Sequence, residues 1–163
     1  MALKERLRRQ LESARQLTDG YLQSLTRPEE WTHQVHPRAN HPLWIMGHLA
    51  QTDNFLVSLV APEKALPLPQ YQECFGMGSQ PTDDLAAYPP VAEVQQTFRE
   101  RRAAMLELLE SITEEDLAAP LPAGTPDFLS DKGSAFEMAV WHEGMHSGQL
   151  SVARRSLGYD PLM

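Results

Sequence analysis

The sequence predicts an all-α fold, a four-helix bundle formed by a single domain over residues 1–163. Apolar residues recur at three- and four-residue spacing in four segments of about twenty residues each, and this is the helical period. Prolines and glycines collect between these segments, and the two longest such stretches follow the second and third helices. A chain of 163 residues can bury a full core without disulfides or a structural metal.

The first helix is predicted over residues 3–25, where leucines form one apolar stripe, and Pro28 ends it because its ring clashes with the preceding turn. The second helix is predicted to begin after Asn40, a good N-cap residue. Pro42 then lies in the first turn, where a missing N–H costs nothing. Pro62 ends this helix.

Residues 62–90 are predicted to lack regular structure, and long loops of this kind often cover or bind ligands. The third helix is predicted from Pro90 to Ile112, and its apolar stripe is interrupted by Arg101 or Arg102. A second loop rich in proline and glycine covers residues 120–133.

The fourth helix has the clearest predicted start. Ser134 and Glu137 match the S-x-x-E capping box, in which each side chain bonds the other's backbone N–H. The helix is predicted to run to about Leu157, and Gly158 then lies where a helix commonly ends in a left-handed glycine.

Composition excludes several classes of function. The net charge is −8, from 14 Lys and Arg against 22 Asp and Glu, which argues against a nucleic-acid-binding surface. The N-terminal segment lacks the apolar stretch of a secretory signal, and no apolar run is long enough to span a membrane. We therefore expect a cytoplasmic protein with no nucleic-acid or membrane partner, in which Cys74 is an incidental thiol.

Three histidines point to a metal site. His142 and His146 are four residues apart on the fourth helix, so both project from one face, which is mostly apolar. His48 lies on the apolar stripe of the second helix. Three buried imidazoles without partners would be costly, whereas a divalent metal would satisfy them. Zinc, nickel and iron(II) all accept imidazole ligands.

Other interpretations of these histidines stay open at this point. A single histidine on an apolar face, such as His48, is more often a hydrogen-bonded core residue than a ligand. The remaining histidines, His33, His36 and His41, are expected at the surface, the last of them near the mouth of a cavity.

His142 and His146 also match H-E-x-x-H, the signature of zinc peptidases, in which the intervening glutamate is the general base. Here that residue is Glu143, for which an exposed helix carboxylate is an equally good interpretation. The longer peptidase motif requires a glycine and a histidine further on, where this chain has Gln149 and Val152.

Two stretches resemble the motifs of the DinB-like superfamily. Residues 40–50, which read NHPLWIMGHLA, are similar to its second-helix motif, and residues 141–150, which read WHEGMHSGQL, are similar to its fourth-helix motif. The similarity covers the whole chain in order. It implies an up-down-down-up bundle, a homodimer, and a divalent metal on His48, His142 and His146.

The resemblance also implies a type of chemistry. Characterised relatives include thiol S-transferases that use mycothiol or bacillithiol, a mycothiol-dependent maleylpyruvate isomerase, and a domain of ergothioneine-synthesis enzymes. The last group has a carboxylate two residues after the second histidine of the pair, where this chain has Gly148. The family's name does not imply DNA binding.

Three hypotheses for function result. The first is a metal-dependent enzyme acting on a small molecule, either thiol S-transferase-like, with a low-molecular-weight thiol held as thiolate, or hydrolase-like, with an activated water. The second is an HExxH peptidase, and the third is a non-catalytic metal-binding or small-molecule-binding module. Glu143 is the candidate catalytic residue, with Asp53 a weaker candidate beside the metal. Residues that could line the substrate and thiol pocket are Gln149, Phe75, Met77 and Phe128.

Overall fold

The computed structural model describes residues 2–162, which form six α-helices and no strand. The helices are α1 (Leu3–Gln23), α2 (Pro42–Val60), α3 (Pro69–Phe75), α4 (Val91–Ser111), α5 (Glu114–Leu117) and α6 (Lys132–Ser156). The predicted all-α bundle is confirmed, and α1, α2, α4 and α6 are its four long helices. Within residues 2–162, no helix is both long and apolar enough to cross a lipid bilayer.

Side-chain contacts establish the directions of the long helices. Between α1 and α6, Arg15 contacts Glu143 and Thr18 contacts Ser147. Between α1 and α4, Leu11 contacts Arg102 and Arg15 contacts Phe98. Between α2 and α6, Trp44 contacts His146 and His48 contacts His142. Helix α6 is therefore parallel to α1, whereas α4 is antiparallel to α1 and α2 is antiparallel to α6. The order along the chain is up, down, down, up.

This topology explains the long connection after α2. Helices α2 and α4 are parallel neighbours, so the chain must return along the bundle, about 28 Å for a 19-residue helix, before α4 can begin. We call residues 61–90 the crossover. The prediction that it lacks regular structure was wrong, because α3 forms within it and packs Tyr71 and Phe75 against the bundle core.

Two predicted helix caps were also wrong, that of α2 by one residue and that of α6 by one helical turn. The N-cap of α2 is His41, whose Nδ1 accepts the Trp44 N–H, and not Asn40. The capping box of α6 is formed by Asp131 and Ser134, because the aspartate lies one turn earlier and accepts the Ser134 N–H at 2.8 Å. The predicted pairing of Ser134 with Glu137 does not form this cap.

Four buried charged side chains, one from each long helix, form a network of ion pairs inside the bundle. We call Arg15, Asp53, Arg102 and Glu143 the buried charge cluster, and each is at most 8% exposed. Arg102 donates to both oxygens of Asp53 at 2.9 and 3.0 Å, and Arg15 donates to Glu143 at 2.7 Å and to Asp53 at 3.0 Å. The arginine that interrupts the predicted apolar stripe of α4 is thus neutralised inside the core.

Candidate metal centre

Three histidine rings converge where α2 passes α6. His142 Nε2 lies 3.2 Å from His48 Nε2 and 3.1 Å from His146 Nε2. His48 comes from α2, and the other two come from consecutive turns of one face of α6. Helical periodicity therefore supplies two of the rings, and the antiparallel packing of α2 on α6 supplies the third.

The orientation of His48 is fixed by the crossover. Its Nδ1 lies 2.7 Å from the carbonyl oxygen of Phe75, at the end of α3. A carbonyl can only accept, so Nδ1 carries the hydrogen and Nε2 presents its lone pair. The close approach of α3 requires Gly47, because a Cβ at that position would lie 2.5 Å from the Phe75 ring. The Trp44 ring stacks on the His48 ring, with 4.5 Å between the two ring centroids.

His146 is oriented in a similar way from its own helix. Its Nδ1 lies 3.0 Å from Gln149 Oε1, which also accepts a hydrogen bond from the Asn40 amide. His146 Nδ1 is therefore the donor, and its Nε2 lone pair is directed toward His142. Acceptors of this kind behind a ring nitrogen are the usual partners of metal-binding histidines.

Burial favours the neutral form of all three rings. Burial, together with repulsion between the histidines, lowers the pKa of His142 to about 3 and that of His146 to about 4, and burial also lowers the pKa of His48. If His142 Nε2 carried a hydrogen, it could donate to only one of its two neighbours. The lone pair of the other neighbour would then face it unsatisfied, whereas a cation between the three rings would satisfy all of the facing lone pairs.

The spacing of the ring nitrogens fits a divalent metal. A tetrahedral zinc with nitrogen ligands at 2.0–2.1 Å separates those ligands by about 3.3 Å, close to the 3.1 and 3.2 Å between the Nε2 atoms here. All three histidines offer a ligand atom within 4.8 Å of the others. Three protein ligands leave a coordination position for a substrate or water, as in catalytic sites.

A cleft of about 290 Å³ opens beside His48 and His142. Helix α2 forms one wall and α6 another, and segments from the crossover and from the loop before α6 complete it. The other residues that line it are Gln51, Thr52, Phe55, Leu56, Gln72, Met77, Phe128, Leu129 and Met138. Most of this lining is apolar, and two of the three clustered histidines, His48 and His142, border the cleft directly.

A comparison with protein families agrees with this geometry. A family model described as the DinB superfamily matches residues 10–150, which is most of the chain and includes all three histidines. The chain belongs to the DinB superfamily. A search of curated proteins found no match. Membership and the histidine cluster together are consistent with a metal-binding DinB protein.

The residues predicted to line the pocket of this DinB chain divide into two groups. Met77 and Phe128 do line the cleft, and they are 94% and 67% exposed. The Phe75 side chain is completely buried, and only the Phe75 carbonyl contacts the site, through its hydrogen bond with His48. Gln149 borders a separate groove with Asn40 and acts on the site through His146.

Glu143 is not an exposed helix carboxylate, the alternative considered from its sequence position. It is completely buried, and Arg15 and Arg102 lie 2.7 and 2.5 Å from its two oxygens. Asp53 is paired with the same two arginines. Both carboxylates predicted beside the metal thus belong to the buried charge cluster.

The other histidines lie outside the cluster. His33 and His36 lie toward the surface, as expected. His41 was expected there too, but it is completely buried, and its Nε2 lies 3.1 Å from the Tyr88 hydroxyl. Its role as the N-cap of α2 explains this burial, because the ring must fold back over the first turn to reach the Trp44 N–H.

Sequence reasoning missed several residues of the site. The Phe75 carbonyl is a backbone group, which no side-chain pattern reveals. Gln51 and Phe55 had a usable signal, because they follow His48 by three and seven residues and so share its helical face.

Proposed function

We propose that this DinB protein is a metal-dependent enzyme of the thiol S-transferase type. The observation that carries the proposal is the position of the histidine cluster, in which neutral Nε2 atoms converge at the wall of an open apolar cleft. His48, His142 and His146 would hold the metal. A divalent metal bound there would supply a Lewis acid that lowers the pKa of a thiol, so that the sulfur is available as the thiolate nucleophile.

The reaction needs little else from the chain. The thiol loses its S–H proton to solvent, its sulfur forms a bond to an electrophilic carbon of the second substrate, and the carbon's leaving group departs with the bonding electron pair. The cleft residues would hold the electrophile close to the histidines and exclude water from it. The Phe75 carbonyl and Gln149 would keep two imidazoles in the required tautomer.

Thiol transfer fits this site better than the two hydrolytic alternatives. A hydrolase-like or peptidase reaction benefits from a general base near an activated water. The sequence candidate for that base, Glu143, has both carboxylate oxygens paired with buried arginines. A thiol needs no such base, because its pKa is already much closer to neutrality than that of water.

The proposal is tested first by metal content and then by turnover. The purified protein is analysed for bound zinc, nickel and iron. It is then assayed with an electrophilic fluorogenic dye and a panel of low-molecular-weight thiols, before and after treatment with a chelator. We expect one metal ion per chain, dye conjugation above the uncatalysed rate, loss of activity on chelation, and recovery when the metal is restored.

A matched pair of histidine variants provides the control. His142→Ala should lose both metal and turnover, whereas His33→Ala, which alters a histidine outside the cluster in the segment between α1 and α2, should keep both. Conjugation that survives chelation, or that persists in His142→Ala, would refute a metal-dependent transferase. Bound metal without turnover for any thiol would favour the non-catalytic module.

A further inference from the structure

The outer side of α6, which faces away from the bundle, carries large apolar side chains. Trp141, Met145 and Val152 are 62%, 41% and 58% exposed, and their spacing of four and seven residues places them in one line along the helix. We call these three residues the outer stripe. The inner side of α6 is apolar as well, with Ala139 and Leu150 buried in the bundle. A helix that is apolar on both sides is normally covered on both sides.

The middle of the outer stripe is flat. Gly144 and Gly148 lie between its apolar residues, both of them exposed. A Cβ at either position would meet no atom within 4 Å, so the packing of a single chain gives no reason for glycine there. Glycine within a helix is less stable than alanine, but it lets another backbone approach closely. The flat centre therefore suits a second helix packed against the larger side chains on either side of it.

Opposite charges flank the outer stripe. Glu137 precedes it and Arg155 follows it, about five helical turns later, so the two side chains lie on the same line along α6. Both are exposed, and neither forms an ion pair with any residue in the range 2–162. Residue 146 is midway between them. A second α6 packed antiparallel about a twofold axis at that level would bring Glu137 against Arg155 of the partner subunit, and the reverse.

A groove of about 510 Å³ lies beside the second half of the outer stripe. Gly148 and Val152 line it from α6, and Val35 and Arg38 line it from the segment before α2. Trp141 and Val152 are almost equally far from residue 146, so the antiparallel arrangement places Trp141 of the partner subunit level with the groove. Aromatic rings that fill pockets are the usual anchors of protein interfaces. Each copy thus offers one protruding ring and one groove, the self-complementarity that a twofold interface requires.

We propose that the outer stripe, with the groove beside it, is the surface through which a second copy of this chain binds, with the two α6 helices antiparallel. The apolar stripe supplies the buried area. Glu137 and Arg155 set the direction and register, because exposed ion pairs add little affinity but disfavour the wrong alignment. None of these residues belongs to the histidine cluster or lines the cleft beside it. The interface is therefore independent of the proposed function, and it gives the expected homodimer a defined surface.

Analytical ultracentrifugation of the full-length, metal-containing protein measures this association over a concentration series. We expect Trp141→Glu to weaken the dimer by about a thousandfold, because an aromatic anchor contributes about thirtyfold and twofold symmetry removes it twice. Met77→Glu is the matched control. It makes the same kind of change at an apolar side chain that is 94% exposed on the crossover, and it should leave the association unchanged. Far-UV circular dichroism should show the same helix content in both variants, since both positions are exposed.

Charge reversal tests the antiparallel register. Glu137→Arg brings two arginines together at each end of the interface, and Arg155→Glu brings two glutamates together, so each should weaken the dimer by about tenfold. The double variant restores the opposite pairs in reversed order, and it should associate as tightly as the wild type. In a parallel arrangement each residue would face its own counterpart, and the single variants would bind no more weakly than the wild type.

The outcomes decide between the possible occupants of the outer stripe. Loss of the dimer in Trp141→Glu, together with rescue in the charge-reversed double variant, would support the proposed surface. A wild type that stays at 18.4 kDa at high concentration would overturn it, as would a dimer that Trp141→Glu leaves intact. Weakened single variants without rescue in the double variant would overturn the antiparallel register. A monomer that binds phosphatidylcholine vesicles through Trp141 would assign the stripe to a lipid surface instead.

Discussion

The substitution Glu143→Gln distinguishes a structural role of Glu143 from a catalytic one, because the two roles predict different consequences. Glu143→Gln removes one negative charge from the buried charge cluster and replaces a carboxylate oxygen with an NH₂ group. That group is a donor and would face an arginine that is also a donor. Arg15 and Arg102 would then share only Asp53 as a counter-charge, all of them at most 8% exposed.

The expected cost is large relative to the stability of the fold. Removing one partner of a buried, hydrogen-bonded charge pair typically costs about 3–5 kcal/mol. Glu143 belongs to two such pairs, with Arg15 at 2.7 Å and with Arg102 at 2.5 Å. A small domain has a free energy of unfolding of about 5–15 kcal/mol, so Glu143→Gln should lose a substantial part of it.

Urea unfolding monitored by far-UV circular dichroism measures this loss. We expect a lower midpoint with an unchanged slope for Glu143→Gln, while Glu137→Gln, an exposed position on the same helix, stays within about 0.5 kcal/mol of the wild type. A Glu143→Gln protein of wild-type stability that had lost peptide hydrolysis would refute the structural reasoning and support the HExxH peptidase.

Three further predictions concern the metal, pH and association. His48→Ala should sharply reduce the metal content of the purified protein, measured by elemental analysis, while its helical circular dichroism persists and His33→Ala keeps the metal. Burial lowers the pKa of His41 to about 4, below the roughly 6.5 of an unfolded chain. The unfolded state therefore binds more protons than the folded state between these two pKa values. As the pH falls from about 6.5 to 4, the free energy of unfolding of the wild type, measured by urea titration, should fall by roughly 3 kcal/mol more than that of His41→Asn. Light scattering should give twice the 18.4 kDa mass of one chain, and a particle of 18.4 kDa at high concentration would contradict the homodimer.

The long helices could be predicted because local patterns specify them. Four apolar stripes and the prolines beside them located α1, α2, α4 and α6 to within a few residues. Helix α3 escaped prediction because its seven residues are too few to show a period, and its stability comes from packing Tyr71 and Phe75 on the core. The true caps, His41 and Asp131, depend on how the chain enters each helix.

The site could be predicted only in part, because only some of its residues follow a local pattern in the sequence. The spacing of His142 and His146 is local, and a resemblance between motifs linked them to His48. The roles of Glu143 and Arg102 depend on ion pairs between residues 41 to 128 positions apart in sequence, which no local pattern contains. The homodimer and the cytoplasmic location expected from the sequence stay predictions.

The hydrogen bond between His48 and the Phe75 carbonyl makes the crossover part of the metal centre. An opening of this segment away from α2 that left the four long helices folded would require less free energy than global unfolding. Each such opening would release His48 Nδ1 and leave its ring free to rotate away from its two partners. The lifetime of a bound metal would then follow the opening rate of the crossover, and dilute denaturant would accelerate metal exchange before the helices melt.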